Sequence, residues 1–339
     1  DYDGTASSLL VEPERTNLFT YSEAFDNAYW TKSGATVESG FTSPDGTENA
    51  YKLKEDTSTG THKINSTSVT SNIYTISVFA KYNGRILQLA STSTGGHYAN
   101  FDLLNGVIGN FGGTTENVTI TEISNGWYRC SMTTTSNMNT AIINTVQSVT
   151  SVYQESYTGD GTSGVYIWGS QAEAASYPTS YIPTSGSTVT RVQDQYTKTG
   201  ISNLINSEEG VLFVEMAALA DDGVAKYLTM NDGSSNNDVR IYFNTASNGI
   251  SALLKSTTGA TQAFLSYTVT DTTEFHKIAF VYAVNRFELW VDGEKRAEDL
   301  SGIAPVGLTT LEFSRVSNFL PLFAKVKQLQ VYDTALTDN

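Results

Sequence analysis

Apolar and polar residues alternate with a period of two in short runs along the chain, and the runs end at Gly, Asn, Asp, Ser or Thr. That rhythm gives one apolar and one wet face only in an extended strand, because successive side chains there point to opposite sides. Patterns with a helical period are nearly absent. In the first half the expected strands include Tyr74 to Tyr82, Ile86 to Ser91, His97 to Leu103, Val118 to Ile123, Trp127 to Thr134, Ala141 to Ser148 and Gly164 to Trp168. Gly95-Gly96, Asn105-Gly106 and Asp160-Gly161 separate some of them. Asn83-Gly84 and Asn125-Gly126 read as hairpin dipeptides, because both central residues of a type I′ turn take positive φ. The chain reads as all-β.

At 339 residues the chain exceeds one small sandwich and suits two domains, each with its own core. Between Tyr177 and about Asn206 lie two prolines, many Ser and Thr, and no sustained apolar pattern. Alternation resumes at Gly210 to Met216 and continues through Val239 to Asn244, Gly249 to Lys255, Phe264 to Val269, His276 to Tyr282, Phe287 to Val291, Thr310 to Phe313 and Lys325 to Tyr332. The expected organisation is two tandem antiparallel β-sandwich (jelly-roll) domains, 1–190 and 207–339, joined by a linker at 191–206.

The formal charge is −15, yet only 16% of residues are charged, so Ser, Thr, Asn and Gly carry the surface. An acidic surface of this kind repels phosphate backbones, which argues against a nucleic-acid partner. No apolar run approaches the ~18 residues of a membrane span, so membrane insertion is not expected. Asp1 to Ser8 lack the basic and apolar regions of a signal peptide, and a start at Asp1-Tyr2-Asp3-Gly4 reads as a fragment or a processed product. The single cysteine, Cys130, lies in an expected strand and reads as a small buried hydrophobe.

Little in the sequence points to chemistry. A glycoside hydrolase needs two carboxylates roughly 5 to 9 Å apart. The nearest candidates are Glu288, Asp292 and Glu294, of which Glu288 and Asp292 share a face by parity, but Asp292-Gly293 reads as a turn. His97-Tyr98-Ala99-Asn100 holds residue types that a lyase would use, without the supporting arginine strands. His62, His97 and His276 are isolated, and Gly109 to Gly113 lacks the lysine and helix of a phosphate loop. No catalytic residue is assigned, no cofactor is expected, and the protein is expected not to be an enzyme. Asp160, Asp221-Asp222 and Asn231-Asp232 with Asn236-Asn237-Asp238 leave room for a structural calcium ion, although such clusters are also ordinary turn chemistry.

Sugar binding needs aromatic rings beside amide, hydroxyl and charged groups, and the chain has 19 tyrosines and 4 tryptophans. With Phe101 and Leu103 facing inward, Tyr98 and Asn100 form the preferred ligand pair of the first domain, with Arg85 and Trp30 on its rim. Arg240, Tyr242 and Asn244 alternate against Ile241 and Phe243 and give a second outer-face set. Trp127, Trp168 and Trp290 read as packing residues. In Ser77 to Tyr82, parity separates Val78, Ala80 and Tyr82 from Phe79 and Lys81 without saying which set is core.

Three motifs carry a resemblance. Leu10-Val11-Glu12-Pro13-Glu14-Arg15-Thr16-Asn17-Leu18, Asn125-Gly126-Trp127-Tyr128-Arg129-Cys130 and the segment from Tyr166-Ile167-Trp168-Gly169 to Thr190-Arg191 occur in that order. Together they make the first half similar to a β-sandwich module of tailed-bacteriophage fibres and appendages. The second half resembles a laminin-G or concanavalin-A-like jelly roll, on His276 to Tyr282, Phe287 to Glu294 and Leu329 to Asp338. The resemblance implies a non-enzymatic fibre or virion-appendage module. It would be extracellular or part of a virion, bind a polysaccharide or cell-surface glycan, contact other virion proteins, and assemble as a homotrimer. The alternatives are a polysaccharide-active enzyme (lyase or glycoside hydrolase) or its accessory binding region, and a purely structural virion decoration.

Overall fold

A computed structural model describes residues 8–67, 73–92, 96–135 and 140–336. Among these residues every regular element is a β-strand and every pairing between strands is antiparallel, as the period-two pattern requires. The residues before Ser8, Gly95 of the Gly95-Gly96 turn signal, and Thr337 and Asp338 of the closing motif lie outside the described set.

The described residues divide into two compact units, one within Glu14–Val192 and one in which residues 8–13 join residues 193–336. The first unit is a sandwich of two six-stranded sheets. One sheet runs Val107–Gly112, His97–Asp102, Ile86–Ser91, Ala141–Val146, His62–Asn65, Thr31–Ser33. The other runs Thr115–Ser124, Trp127–Thr134, Tyr74–Asn83, Gly164–Glu173, Ala50–Glu55, Ala35–Phe41. Leu87, Leu89, Phe101 and Ile143 from the first meet Leu53, Val78, Cys130 and Ile167 from the second in one core, with Phe19, Phe25 and Trp30 packed into it. Cys130 is fully buried, and burial pushes its thiol pKa up, so it is a packing residue rather than a nucleophile.

The second unit repeats the two-sheet plan with its own core. Its sheets run Leu9–Val11, Ala324–Tyr332, Glu209–Ala218, His276–Ala283, Arg286–Val291, Glu294–Asp299 and Thr197–Thr199, Thr310–Glu312, Lys226–Asn231, Asp238–Phe243, Gly249–Lys255, Thr261–Thr268. Strand existence follows the alternation closely; three connections do not follow the sequence reading. Leu9–Val11 pairs with Ala324–Tyr332, so the Leu10 to Leu18 motif is shared between units rather than lying in the first. The expected linker residues Thr197–Thr199 pair with Thr310–Glu312, and Ile201 and Ile205 enter the second core. These few apolar residues are too widely spaced to register as a pattern.

Asn83-Gly84 is the third departure. Tyr74–Asn83 and Ile86–Ser91 belong to different sheets, so the dipeptide makes an arch between layers rather than a hairpin. Gly84 takes φ +91° there, and a Cβ on it would lie 2.8 Å from Ser163 Oγ. Asn125-Gly126, with φ of 51° and 76°, does form the expected hairpin between Thr115–Ser124 and Trp127–Thr134. Asp292-Gly293, at 55° and 82°, does the same between Arg286–Val291 and Glu294–Asp299.

Candidate functional site

The outward face of the Tyr74–Asn83 sheet carries a second, smaller apolar cluster of Ala50, Phe79, Trp127 and Trp168, with Phe41, Ile123, Tyr166 and Tyr181 packed against it. Val78 and Ala80 are in the main core, so parity sends Phe79 outward. Register then places Arg129 and Trp168 directly beside Phe79 on its two neighbouring strands. A row of arginine, phenylalanine and tryptophan on three adjacent strands is the floor of a pocket of about 370 Å³, whose walls add Pro44, Asp45, Ile123, Ser180 and Tyr181.

A β-bulge fixes the aromatic geometry. The pairing of Gly164–Glu173 with Tyr74–Asn83 slips between Trp168 and Gln171, where Gly169 adopts φ +58°. Bulges re-aim neighbouring side chains, and only glycine takes this conformation without penalty. Trp168 meets Phe79 at 5.1 Å and Tyr181 at 4.9 Å between ring centroids, both tilted, while Phe79 and Tyr181 are edge-on at 5.9 Å. A Cβ on Gly169 would approach Phe79 to 3.0 Å and Tyr181 to 3.3 Å. Gly169→Ala is therefore expected to destabilise the unit by about 1–2 kcal/mol from the left-handed backbone alone, read as a lower urea midpoint, and to spread the three rings.

The polar groups around the rings are held in place. The Arg129 guanidinium lies 5.4 Å over the Phe79 ring and donates from Nη2 to Ser77 Oγ at 3.0 Å. Tyr181 donates its O–H to Glu23 Oε1 at 2.9 Å and is 2.7 Å from Ser22 Oγ. Burial first, and then the nearby Glu23 and Asp45 charges, push its pKa well up, so the phenol stays neutral. Partial burial works against the charge of Asp45, but the hydroxyls of Ser43 and Thr47 and the Thr47 backbone N–H hold its pKa below the usual carboxylate range. All three of those bonds go to Oδ1. The result is an aromatic pocket with a fixed cation on its floor and an ionised carboxylate at its exposed rim.

The residues singled out from sequence lie elsewhere. Tyr98 and Asn100 do point away from the core, as parity requires, but the Ser148 to Gln154 segment covers that face. Asn100 is fully buried, donating to the Val149 carbonyl at 3.1 Å and the Ser151 carbonyl at 2.7 Å and accepting from Gln88 Nε2 at 2.8 Å. Tyr98 is half-buried, 6.3 Å from the Tyr153 ring. Trp30 is a core residue whose Nε1–H donates to the Tyr21 carbonyl. Arg85 binds Glu55 through two bonds, at 2.7 and 2.6 Å, and also reaches Asp160. The structure does bring Arg240 and Tyr242 together, but both are buried: Arg240 pairs with buried Asp238 and Tyr242 stacks on Tyr227 at 4.5 Å. Asn244 spends its amide on Ser251 and Ser266.

The groups weighed for chemistry are likewise committed. His97 Nδ1 accepts the Thr114 backbone N–H. Glu288 is buried against Arg286 and Trp290, and Asp292 pairs with His276. Of the calcium candidates, Asp160 holds its own turn and Arg85, Asp222 pairs with Lys226, and Asp238 pairs with Arg240. No group of three or more His, Cys, Asp or Glu that could hold a metal occurs among the described residues.

The sheets define the class: an all-β protein of two tandem sandwiches. No protein-family model and no curated protein matches the chain. Solved structures similar to it include the CBM40 module of the Ruminococcus gnavus IT-sialidase bound to α2,6 sialyllactose, at 15% identity over 42% of this chain and 94% of that one, with a TM-score of 0.34. Sheep galectin-11 in complex with glycerol is similar at 7% identity over 42% and 99%, with a TM-score of 0.28. Mouse laminin α1 domains LG4-5 are similar at 11% identity over 96% and 90%, with a TM-score of 0.28.

Proposed function

We propose that this chain is a glycan-binding module that holds a sugar unit in the Phe79–Trp168–Tyr181 pocket without cleaving it. The observation that carries the reading is the pocket itself: three rings fixed at mutual angles by a bulge, beside Arg129 and Asp45. The apolar face of a pyranose suits the rings, and its hydroxyls suit a fixed cation and carboxylate. At about 370 Å³ the space is near the lower end of small-molecule sites, roughly 300–1,000 Å³. A terminal sugar or a disaccharide fits better than a long segment of chain. Hydrolysis of a glycoside calls for paired carboxylates, and Asp45 is the one carboxylate among the lining residues, which supports binding over catalysis.

The setting we propose is a fibre or appendage of a tailed-phage particle, consistent with the three motifs of the first half. Trimeric copies on one particle would convert weak single-site affinity into firm attachment through effective concentration. The test is a glycan array probed with the intact chain. Retention on glycans that share one terminal sugar is the expected result, and failure to retain any host-surface or environmental glycan would remove the proposal in favour of an architectural role.

A further inference from the structure

The second unit has an outward face whose central residues its core does not need. Gln330, Phe213, Ala279, Trp290 and Lys295 sit opposite one another in a single row across five neighbouring strands. Their strand neighbours Leu212, Val214, Leu289 and Val291 are core residues, which places Phe213 and Trp290 on the other side of the sheet. Both rings are half-buried, and Ala279 between them is also partly exposed. Two strand spacings separate the rings, about 9.5 Å, with only a methyl group in between. That is a flat floor with an aromatic at each end.

The Trp290 ring is held rather than loosely packed. Its Nε1–H donates to Glu288 Oε2 at 3.0 Å, and Glu288 is buried and bound by Arg286 Nε at 3.1 Å. A buried carboxylate held by a partly exposed arginine thus orients a ring that stays partly in water, and such support lowers the ordering cost of binding. Four cations, Lys277, Lys327, Lys295 and Arg286, stand among three carboxylates, Glu215, Glu288 and Glu298, around the row. Glu215 lies opposite Lys277 and 3.8 Å from Lys327, and Lys295 lies 2.9 Å from Glu298 and 3.7 Å from Glu288. On a chain of net charge −15 a strip so close to neutral suits an uncharged partner, whereas a second copy would bring its own −15 against the chain's.

We propose that the Phe213–Ala279–Trp290 row is a second saccharide site, a platform for the interior of an extended, uncharged polysaccharide. The two rings take the apolar faces of sugars along the chain, the Ala279 floor leaves clearance for the unit between them, and Gln330 and Lys295 at the ends reach hydroxyl groups. The site shares no residue with the pocket of the first unit, so either assignment can fail without the other.

The experiment titrates the intact chain with cellohexaose, xylohexaose and mannohexaose by calorimetry. At least one binds, and Trp290→Ala and Phe213→Ser each weaken it about ten-fold or more. Trp290→Phe, which keeps a ring and reports on folding, stays within about three-fold, and Trp168→Ala in the pocket stays within about two-fold. The proposal is overturned if none of the three oligosaccharides binds, or if Trp290→Ala and Phe213→Ser both bind as the wild type does. It is also overturned if Trp290→Ala alters self-association in sedimentation and not saccharide affinity.

Discussion

Replacing Trp168 by alanine should weaken binding of the terminal sugar held in the first unit's pocket by about 2 kcal/mol or more, roughly thirty-fold. Trp168 makes the two shortest ring contacts of the pocket, at 5.1 Å from Phe79 and 4.9 Å from Tyr181, against 5.9 Å between Phe79 and Tyr181. Removing it takes away its own stacking surface and the support that fixes its two neighbours. Desolvated aromatic anchors at the centre of a site carry most of its energy, and Trp168 is only 7% exposed. It belongs to the outer cluster and not to the main core, so the variant is expected to fold, which a thermal melt would verify. Arg129→Ala should act in the same direction by releasing the Phe79 ring. Affinity within about two-fold of wild type for Trp168→Ala, on every terminal-sugar glycan that the intact chain retains on the array, would take the sugar out of this pocket.

Glu55→Ala is expected to have the largest effect on stability, about 3–5 kcal/mol in the first unit. Glu55 is 1% exposed, and its two oxygens accept from Arg85 Nε and Nη2, the Tyr157 hydroxyl and the Asp160 backbone N–H, at 2.6 to 2.7 Å. Removing it leaves four donors and one guanidinium charge without their shared acceptor. At 2–4 °C per kcal/mol for a unit of this size, the melting temperature should fall by roughly 6–20 °C. Arg85→Ala should cost a similar amount, because it strands the carboxylate instead. The double variant should be markedly less damaging than the sum of the two, since neither charge is then left alone. Strict additivity would show that the two residues act separately and that the ion pair does not organise this end of the sandwich.

Most of the fold was legible because strand formation is local: alternation, and positive-φ turns at Asn125-Gly126 and Asp292-Gly293, state their outcome within ten residues. Long-range choices were not. Nothing near Leu9–Val11 shows that it will pair with Ala324–Tyr332, and nothing in Asn83-Gly84 distinguishes an arch between sheets from a hairpin within one. The site shows the same division. Parity correctly turned Tyr98 and Asn100 away from the core, yet periodicity is blind to a loop folding back, and Ser148 to Gln154 covers them. Phe79 and Trp168 share a face by register, which needs the partner strand to be known. One local signal was available: Trp168 is followed directly by glycine inside an otherwise alternating strand, and such a glycine often marks a bulge.

The pairing of Leu9–Val11 with Ala324–Tyr332 gives the molecule a timetable. During synthesis the first unit can be finished as soon as Val192 has emerged, but the second sheet receives its outermost strand from residues made about 300 positions earlier. At the usual pace of roughly 5–20 residues per second, that segment must wait tens of seconds for its partner. Through that interval a short apolar stretch stays available for mispairing, and once Ala324–Tyr332 docks, its open edge is closed only when Leu9–Val11 pairs with it.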